Sequence, residues 1–132
     1  MRYSHDHIHL TTQSVDDWVQ WYVDSMGAVV VRTNMTPDGP MVFLDVGGAS
    51  VRISSSTGVE KYFRDQTGEL VLPPEGYHHF GFTVDDIDAC MADLVSRGAE
   101  IEAGIRQPSG AVRSSFLKLP GGVRIELCEY KD

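Results

Sequence analysis

Five side chains in this 132-residue chain have types and spacings suited to chemistry on a small molecule: His7, His9, Arg52, His79 and Glu126. A neutral imidazole can ligate a metal ion or move a proton near neutral pH. A carboxylate adds an anionic oxygen. A guanidinium stays protonated, so it cannot bind a metal, but it can grip an anion through two parallel N–H donors. Two imidazoles and one carboxylate suit a divalent first-row metal and leave coordination positions open. A metal with open positions can take two oxygens of a substrate, stabilise an enolate or activate dioxygen.

An internal repeat positions these residues. His7-Ile8-His9-Leu10-Thr11-Thr12 leads into Ser14-Val15-Asp16-Asp17, and His79-Phe80-Gly81-Phe82-Thr83 leads into Val84-Asp85-Asp86-Ile87. Gly27-Ala28 matches Gly98-Ala99, and Gly47-Gly48 before Val51-Arg52-Ile53 matches Gly121-Gly122 before Ile125-Glu126-Leu127. His7 is then equivalent to His79, and Arg52 to Glu126. The elements follow from pattern and punctuation. In the first half we expect a strand over 5–12, with His5, His7 and His9 on one face. A helix follows, capped by Ser14 with Asp17 as in a capping box, packing Trp18, Trp21, Tyr22 and Met26 and stopping at Gly27. Strands are expected over 28–33, 41–46 and 49–54, with a turn at 36–40. In the second half we expect a strand over 79–84 and a helix capped by Asp85 with Asp88, whose stripe is Ile87, Met91, Leu94 and Val95. Strands over 99–103, 112–119 and 123–128 follow, with turns at 107–110 and 120–122 and a polar tail at 129–132. Between the halves, 55–76 reads as a connector with helical turns within 59–66 and an extended stretch at 70–76. It is a candidate flap over a site, and its Tyr62, Phe63 and Arg64 are expected to shape specificity.

The class is therefore α+β: one domain over 1–132, built of two tandem βαβββ modules, about 5–54 and 77–129, with a linker at 55–76. Each module has an unclosed sheet, so the two should pair to cover each other's edges into eight strands. About a pseudo-twofold axis, equivalent positions face each other across a cleft, and His7, His79 and Glu126 could converge on a metal. A blander reading stands beside this one. Strand histidines are usually packed or surface residues, and duplication alone can leave two at matching places. Val51, Ile53, Ile125 and Leu127 flank Arg52 and Glu126, so they could be the buried set with both charges solvated on the opposite face. His78 points away from His79 and reads as structural. His9 reads as a cleft residue beside the metal or as an acid–base group.

Composition bounds the rest. At 42% hydrophobic and 23% charged the chain is globular. No apolar run reaches the roughly 18 residues of a membrane span, and the first residues lack the basic-then-apolar pattern of a signal peptide. A soluble cytoplasmic protein is expected. Cys90 and Cys128 are far apart and outside any CxxC, which predicts two buried, reduced thiols. The net charge of -8 argues against nucleic-acid and membrane partners and weakly favours a neutral or cationic small ligand.

His7-Ile8-His9-Leu10-Thr11, the helix end at Met26-Gly27, the stretch 76–87 and Pro120-Gly121-Gly122-Val123-Arg124-Ile125-Glu126-Leu127 together resemble the vicinal oxygen chelate superfamily. That group includes glyoxalase I, methylmalonyl-CoA epimerase, extradiol dioxygenases and bleomycin resistance proteins. The resemblance covers about residues 5–129. It implies a cupped, partly open eight-stranded sheet with helices outside, usually in a homodimer, and places metal ligands on His7, His79 and Glu126. One position departs. Where glyoxalase I and the epimerase supply a fourth ligand, Glu or Gln, this chain has Arg52. The remaining triad is similar to the two-His-one-carboxylate set of the extradiol branch, which favours Fe(II), with Mn, Ni, Co or Zn as alternatives. The expectation is a metal-dependent enzyme on a small oxygen-bearing substrate, dioxygenase-like or glyoxalase/lyase-like. Arg52 would bind an anionic substrate group, and His9 would shuttle a proton. The alternative is a metal-free small-molecule binding or antibiotic-resistance protein of the bleomycin-resistance kind, with no metal cofactor because Arg52 closes the site onto Glu126.

Overall fold

A computed structural model describes residues 2–57, 66–69 and 75–131. The elements are β1 (Tyr3–Thr12), α1 (Val15–Met26), β2 (Val29–Thr36), β3 (Gly39–Val46), β4 (Ala49–Ser55), β5 (Gly76–Val84), α2 (Ile87–Ser96), β6 (Glu100–Ser109), β7 (Val112–Leu119) and β8 (Val123–Tyr130). The hydrogen-bonded strand order is β2-β3-β4-β1-β5-β8-β7-β6. This is the expected class, α+β, with eight strands and two α-helices among the described residues. The helical turns expected within 59–66, and Tyr62, Phe63 and Arg64, lie outside the described residues, as does most of the extended stretch at 70–76.

The chain divides into two compact units, residues 7–78 and residues 79–132 with 1–6. In the first, β1 pairs with β4 in parallel, and β2-β3-β4 is an antiparallel meander. A parallel pair needs a crossover, and α1 leads into it. Val15, Ala28, Val42, Leu44, Val51 and Ile53 form the core, with Ile8, Leu10, Trp18, Val19, Tyr22 and Val23 packed on it. Trp21, by contrast, is 57% exposed, and Met26 also faces out. The buried stripe is set by Val15, Trp18, Val19, Tyr22 and Val23, one turn-face away from the one the aromatics suggest. Gly27 closes α1 in the left-handed conformation (φ 65°) and donates its N–H to the Tyr22 carbonyl. The expected capping box does not form. Ser14 makes no side-chain cap, and its own N–H donates to Thr12 Oγ1. β2 carries one bulge: Val30 pairs with Leu44 and Arg32 with Phe43, so Val31 is an extra residue.

The second unit repeats the plan, with β5 parallel to β8 and β8-β7-β6 antiparallel. Its core is Val84, Ile87, Cys90, Met91, Leu117, Ile125 and Leu127. Val95 is exposed, and Cys90 takes the inward place expected for it. The helix cap is Asp86, not Asp85: Asp86 accepts a hydrogen bond from Ala89 N–H at 3.0 Å. β6 runs through the turn expected at 107–110, with its register broken at several points, and turns back only after Ser109. The expected polar tail is partly strand. Glu129 accepts from Ile87 N–H at 2.9 Å, satisfying an orphan donor at the start of α2, and Tyr130 Oη donates to Asp6. No helix among the described residues is long and apolar enough to cross a membrane.

Two outcomes test these local structures. Asp86→Ala should destabilise the protein by about 1 kcal/mol in urea denaturation, whereas Asp85→Ala should stay within about 0.5 kcal/mol; the reverse ranking would assign the cap to Asp85. Cys90 and Cys128 are both free and buried. Burial pushes the Cys90 thiol up from its ordinary value, against a smaller lowering by the Tyr3 hydroxyl. Its thiolate fraction at pH 8 is therefore reduced. Neither thiol should react with a disulfide reagent in the native protein, and both should react in denaturant.

Candidate functional site

Side chains alternate across a strand, so each sheet segment has a helix-packed face and a helix-free face. In the first unit Val42, Leu44, Val51 and Ile53 take the helix side. The residues between them take the other. His9 is the register partner of Arg52, Arg52 of Phe43, and Phe43 of Arg32, which puts one residue from each strand in a row across the free face. His7 lies two residues from His9 on the same face and is fully buried. The two rings meet edge to face at 6.1 Å between centroids, and ligand atoms of the pair lie within 4.8 Å of each other.

His9 is held by Ser54. Its Nε2 is 2.7 Å from Ser54 Oγ, and both residues are buried. The ring of His78, also buried, lies 5.9 Å from that of His9. His78 therefore packs against a candidate site residue. Arg52 is half-buried, and its guanidinium lies over the Phe43 ring at 4.9 Å. Ser54 and Phe43 were not singled out by sequence reasoning. The signal for Ser54 was its spacing of two from Arg52; Phe43 looked like one more apolar strand residue.

In the second unit Phe116 is the register partner of Glu126, and Gly81 pairs with Glu126 from β5. His79, two residues before Gly81, shares that face. It is buried, and its Nε2 is 3.4 Å from Glu126 Oε1. Phe116 presents its ring edge-on to His79, centroids 4.9 Å apart at 89°. Arg106 lies over the same ring at 5.2 Å. Ser114, one alternation from Phe116, has a buried hydroxyl with no hydrogen-bond partner among the described residues.

The question left by the sequence resolves between its two options. Val51, Ile53, Ile125 and Leu127 are the buried apolar set, and Arg52 and Glu126 do face the other way. Yet that face is not simply solvated: the Glu126 side chain is only 12% exposed and its neighbour His79 is buried. An anionic carboxylate so far from water needs a cation or hydrogen-bond donors. Within the units, the structure brings His7 to His9 and His79 to Glu126, and sets Arg52 beside His9 in register.

Solved structures share this architecture. A hypothetical protein from Bacillus halodurans C-125 superposes with a TM-score of 0.76 at 19% identity, covering 100% of this chain and 97% of its own. Methylmalonyl-CoA epimerase from Mycobacterium tuberculosis gives 0.67 at 23% identity, with 97% and 88% covered. A Streptomyces coelicolor methylmalonyl-CoA epimerase in complex with 2-nitronate-propionyl-CoA gives 0.66 at 23%, with 97% of each chain covered. At these identities the likeness is one of fold. No curated protein matches the chain. Residues 4–127, nearly the whole length, match one family as a unit, and the chain belongs to the Glyoxalase/Bleomycin resistance protein/Dioxygenase superfamily.

Proposed function

We propose that the protein is a metal-dependent vicinal oxygen chelate enzyme acting on a small oxygen-bearing substrate, by a dioxygenase-like or glyoxalase/lyase-like reaction. The observation that carries this reading is the pairing of buried His79 with the partly buried Glu126, with Nε2 and Oε1 3.4 Å apart. Two ligand atoms each about 2.1 Å from a shared tetrahedral ion sit roughly 3.4 Å apart, so the spacing fits a common metal. Superfamily membership supports a metal-binding vicinal oxygen chelate fold, and His7, His9 and His79 are each buried. The proposed ligands are His7, His79 and Glu126.

A divalent metal held there, Fe(II) before Mn, Ni, Co or Zn, supplies Lewis acidity towards adjacent oxygens of a substrate. The chain's own residues do the rest. Ser54 fixes the His9 ring through Nε2, leaving the imidazole in one orientation to hold or release a proton. Arg52 binds an anionic substrate group through its N–H edges while its face rests on Phe43. Phe116 keeps water from one side of His79. The epimerase likeness is not carried to the reaction, because Arg52 stands where epimerases place a fourth ligand. A homodimer and a cytoplasmic location belong to the same proposal. The second reading, a metal-free binding protein, is favoured by that same Arg52.

Protein purified without chelator should carry roughly one equivalent of a first-row metal per chain by elemental mass spectrometry, falling below about a tenth in His7→Ala and in His79→Ala. No metal after anaerobic reconstitution with Fe(II) would overturn the enzyme reading in favour of the binding protein. Arg52→Gln separates the two further. In the enzyme it should leave metal content unchanged and weaken an anionic substrate by about ten- to a hundredfold. A rise in metal content on Arg52→Gln would mean that the guanidinium had been occupying the ion's place.

A further inference from the structure

β2 and β6 are the two outer strands of the sheet order. An outer strand presents one row of backbone N–H and C=O groups to no neighbouring strand, here among the described residues. Such an edge is a template for a further strand, and proteins blunt it with charges, proline and breaks of register. β6 carries all three. It holds Glu100, Glu102, Arg106 and Pro108, and its pairing with β7 shifts at three points. β2 carries much less. It reads Val-Val-Val-Arg-Thr-Asn-Met-Thr, with one charge, no proline and no glycine. Its one bulge lies at Val31, and from Arg32 to Thr36 the pairing with β3 is unbroken.

The side chains of β2 add to this. Residues 29–35 are all exposed. Val29 is 62%, Val31 64% and Met35 75% exposed. Val30 and Thr33 pair with the core residues Leu44 and Val42, so they lie on the helix side of the sheet, yet α1 leaves Val30 46% exposed. Valine and threonine are strong strand formers, and here they stand in water along an open edge.

Symmetry decides what fits this edge. Pairing β2 with β6 of another copy is heterologous, leaves a free edge at each end and does not close. It would also set β2 against the guarded strand. Pairing β2 with β2 about a twofold axis is isologous and stops at two copies. Paired residues of an antiparallel ladder share a face, so the axis passes through a residue position. At Arg32 it would set two guanidiniums opposite each other, which is unfavourable. At Thr33 it sets threonine against threonine, Arg32 against the partner's Asn34, and Met35 against the partner's Val31. Arg32 is already drawn towards β3, over the Phe43 ring at 4.1 Å.

We propose that β2 is the contact surface of a homodimer, joined to β2 of a second copy as an antiparallel pair centred on Thr33. The inference rests on the homodimer of the proposed function and adds where the two copies meet. An edge-to-edge contact buries less than the roughly 800 Å² per partner of a standard interface, so the dimer is reversible in the micromolar range.

Sedimentation velocity of the full-length protein, from about 1 to about 300 μM, should show monomer passing into dimer. Added salt should tighten the dimer, because two chains of net charge -8 repel each other. Thr33→Lys should raise the dissociation constant by about tenfold or more. Ile101→Lys, at an exposed position of β6, should leave it unchanged. Thr33→Cys, on the axis, should form an interchain disulfide under mild oxidation, and Ile101→Cys should not; the native cysteines are buried. A melting curve for each variant checks that it is folded. A monomer at every concentration would overturn the proposal and leave β2 to an extended segment of another protein. A dimer that survives Thr33→Lys and does not cross-link through Thr33→Cys would also overturn it, while leaving the homodimer itself standing.

Discussion

Every feature of this protein depends on the twofold alternation of side chains along β1, β4, β5 and β8. Val51-Arg52-Ile53 and Ile125-Glu126-Leu127 each send two apolar groups to one side and one charge to the other. The parallel pairings of β1 with β4 and of β5 with β8 require a crossover, and the helix it contains packs against the apolar side. The opposite side is left without a helix and collects histidines, charges and two phenylalanines. A slip of one residue in either pairing would exchange the two faces and bury a charge beneath a helix. The four buried aliphatic groups beside Arg52 and Glu126 hold that register, so the core and the site are fixed by the same contacts.

The two halves share this plan and have diverged in charge. Both place a phenylalanine on the third strand beside the charged position of the fourth, and both lay an arginine from the edge strand over that ring. The first half then adds a guanidinium and the second a carboxylate. The second half can thus offer an anionic oxygen next to His79, while the first offers cationic donors next to His9.

Much of this was legible in the sequence because periodicity and repeat carry over directly into sheet faces. The eight strands, both helices and the face shared by His7 and His9 could all be read that way, as could the matching of Arg52 to Glu126. What was missed depends on tertiary contacts. Asp85 and Asp86 are chemically equal as caps, and the end of β5 decides between them. Trp21 and Met26 look like core residues by type, but Val19 and Val23 define the inward stripe. β6 continues past Gln107-Pro108 because its register is irregular there and because it lies at the edge of the sheet, where proline is tolerated. Ser54 and Phe43 could not be picked out, since a hydroxyl and a ring on a strand gain their meaning only from the neighbours across the ladder.

The bulge at Val31 has a consequence for descent. With that extra residue, Arg32 stands opposite Phe43. In an unbulged pairing of the same residues Val31 would stand there, and Arg32 would be opposite Val42. The bulge therefore decides which face of the sheet Arg32 takes. Among relatives of this chain, an arginine in the same alignment column takes the same face only where the pairing of β2 with β3 has the same register.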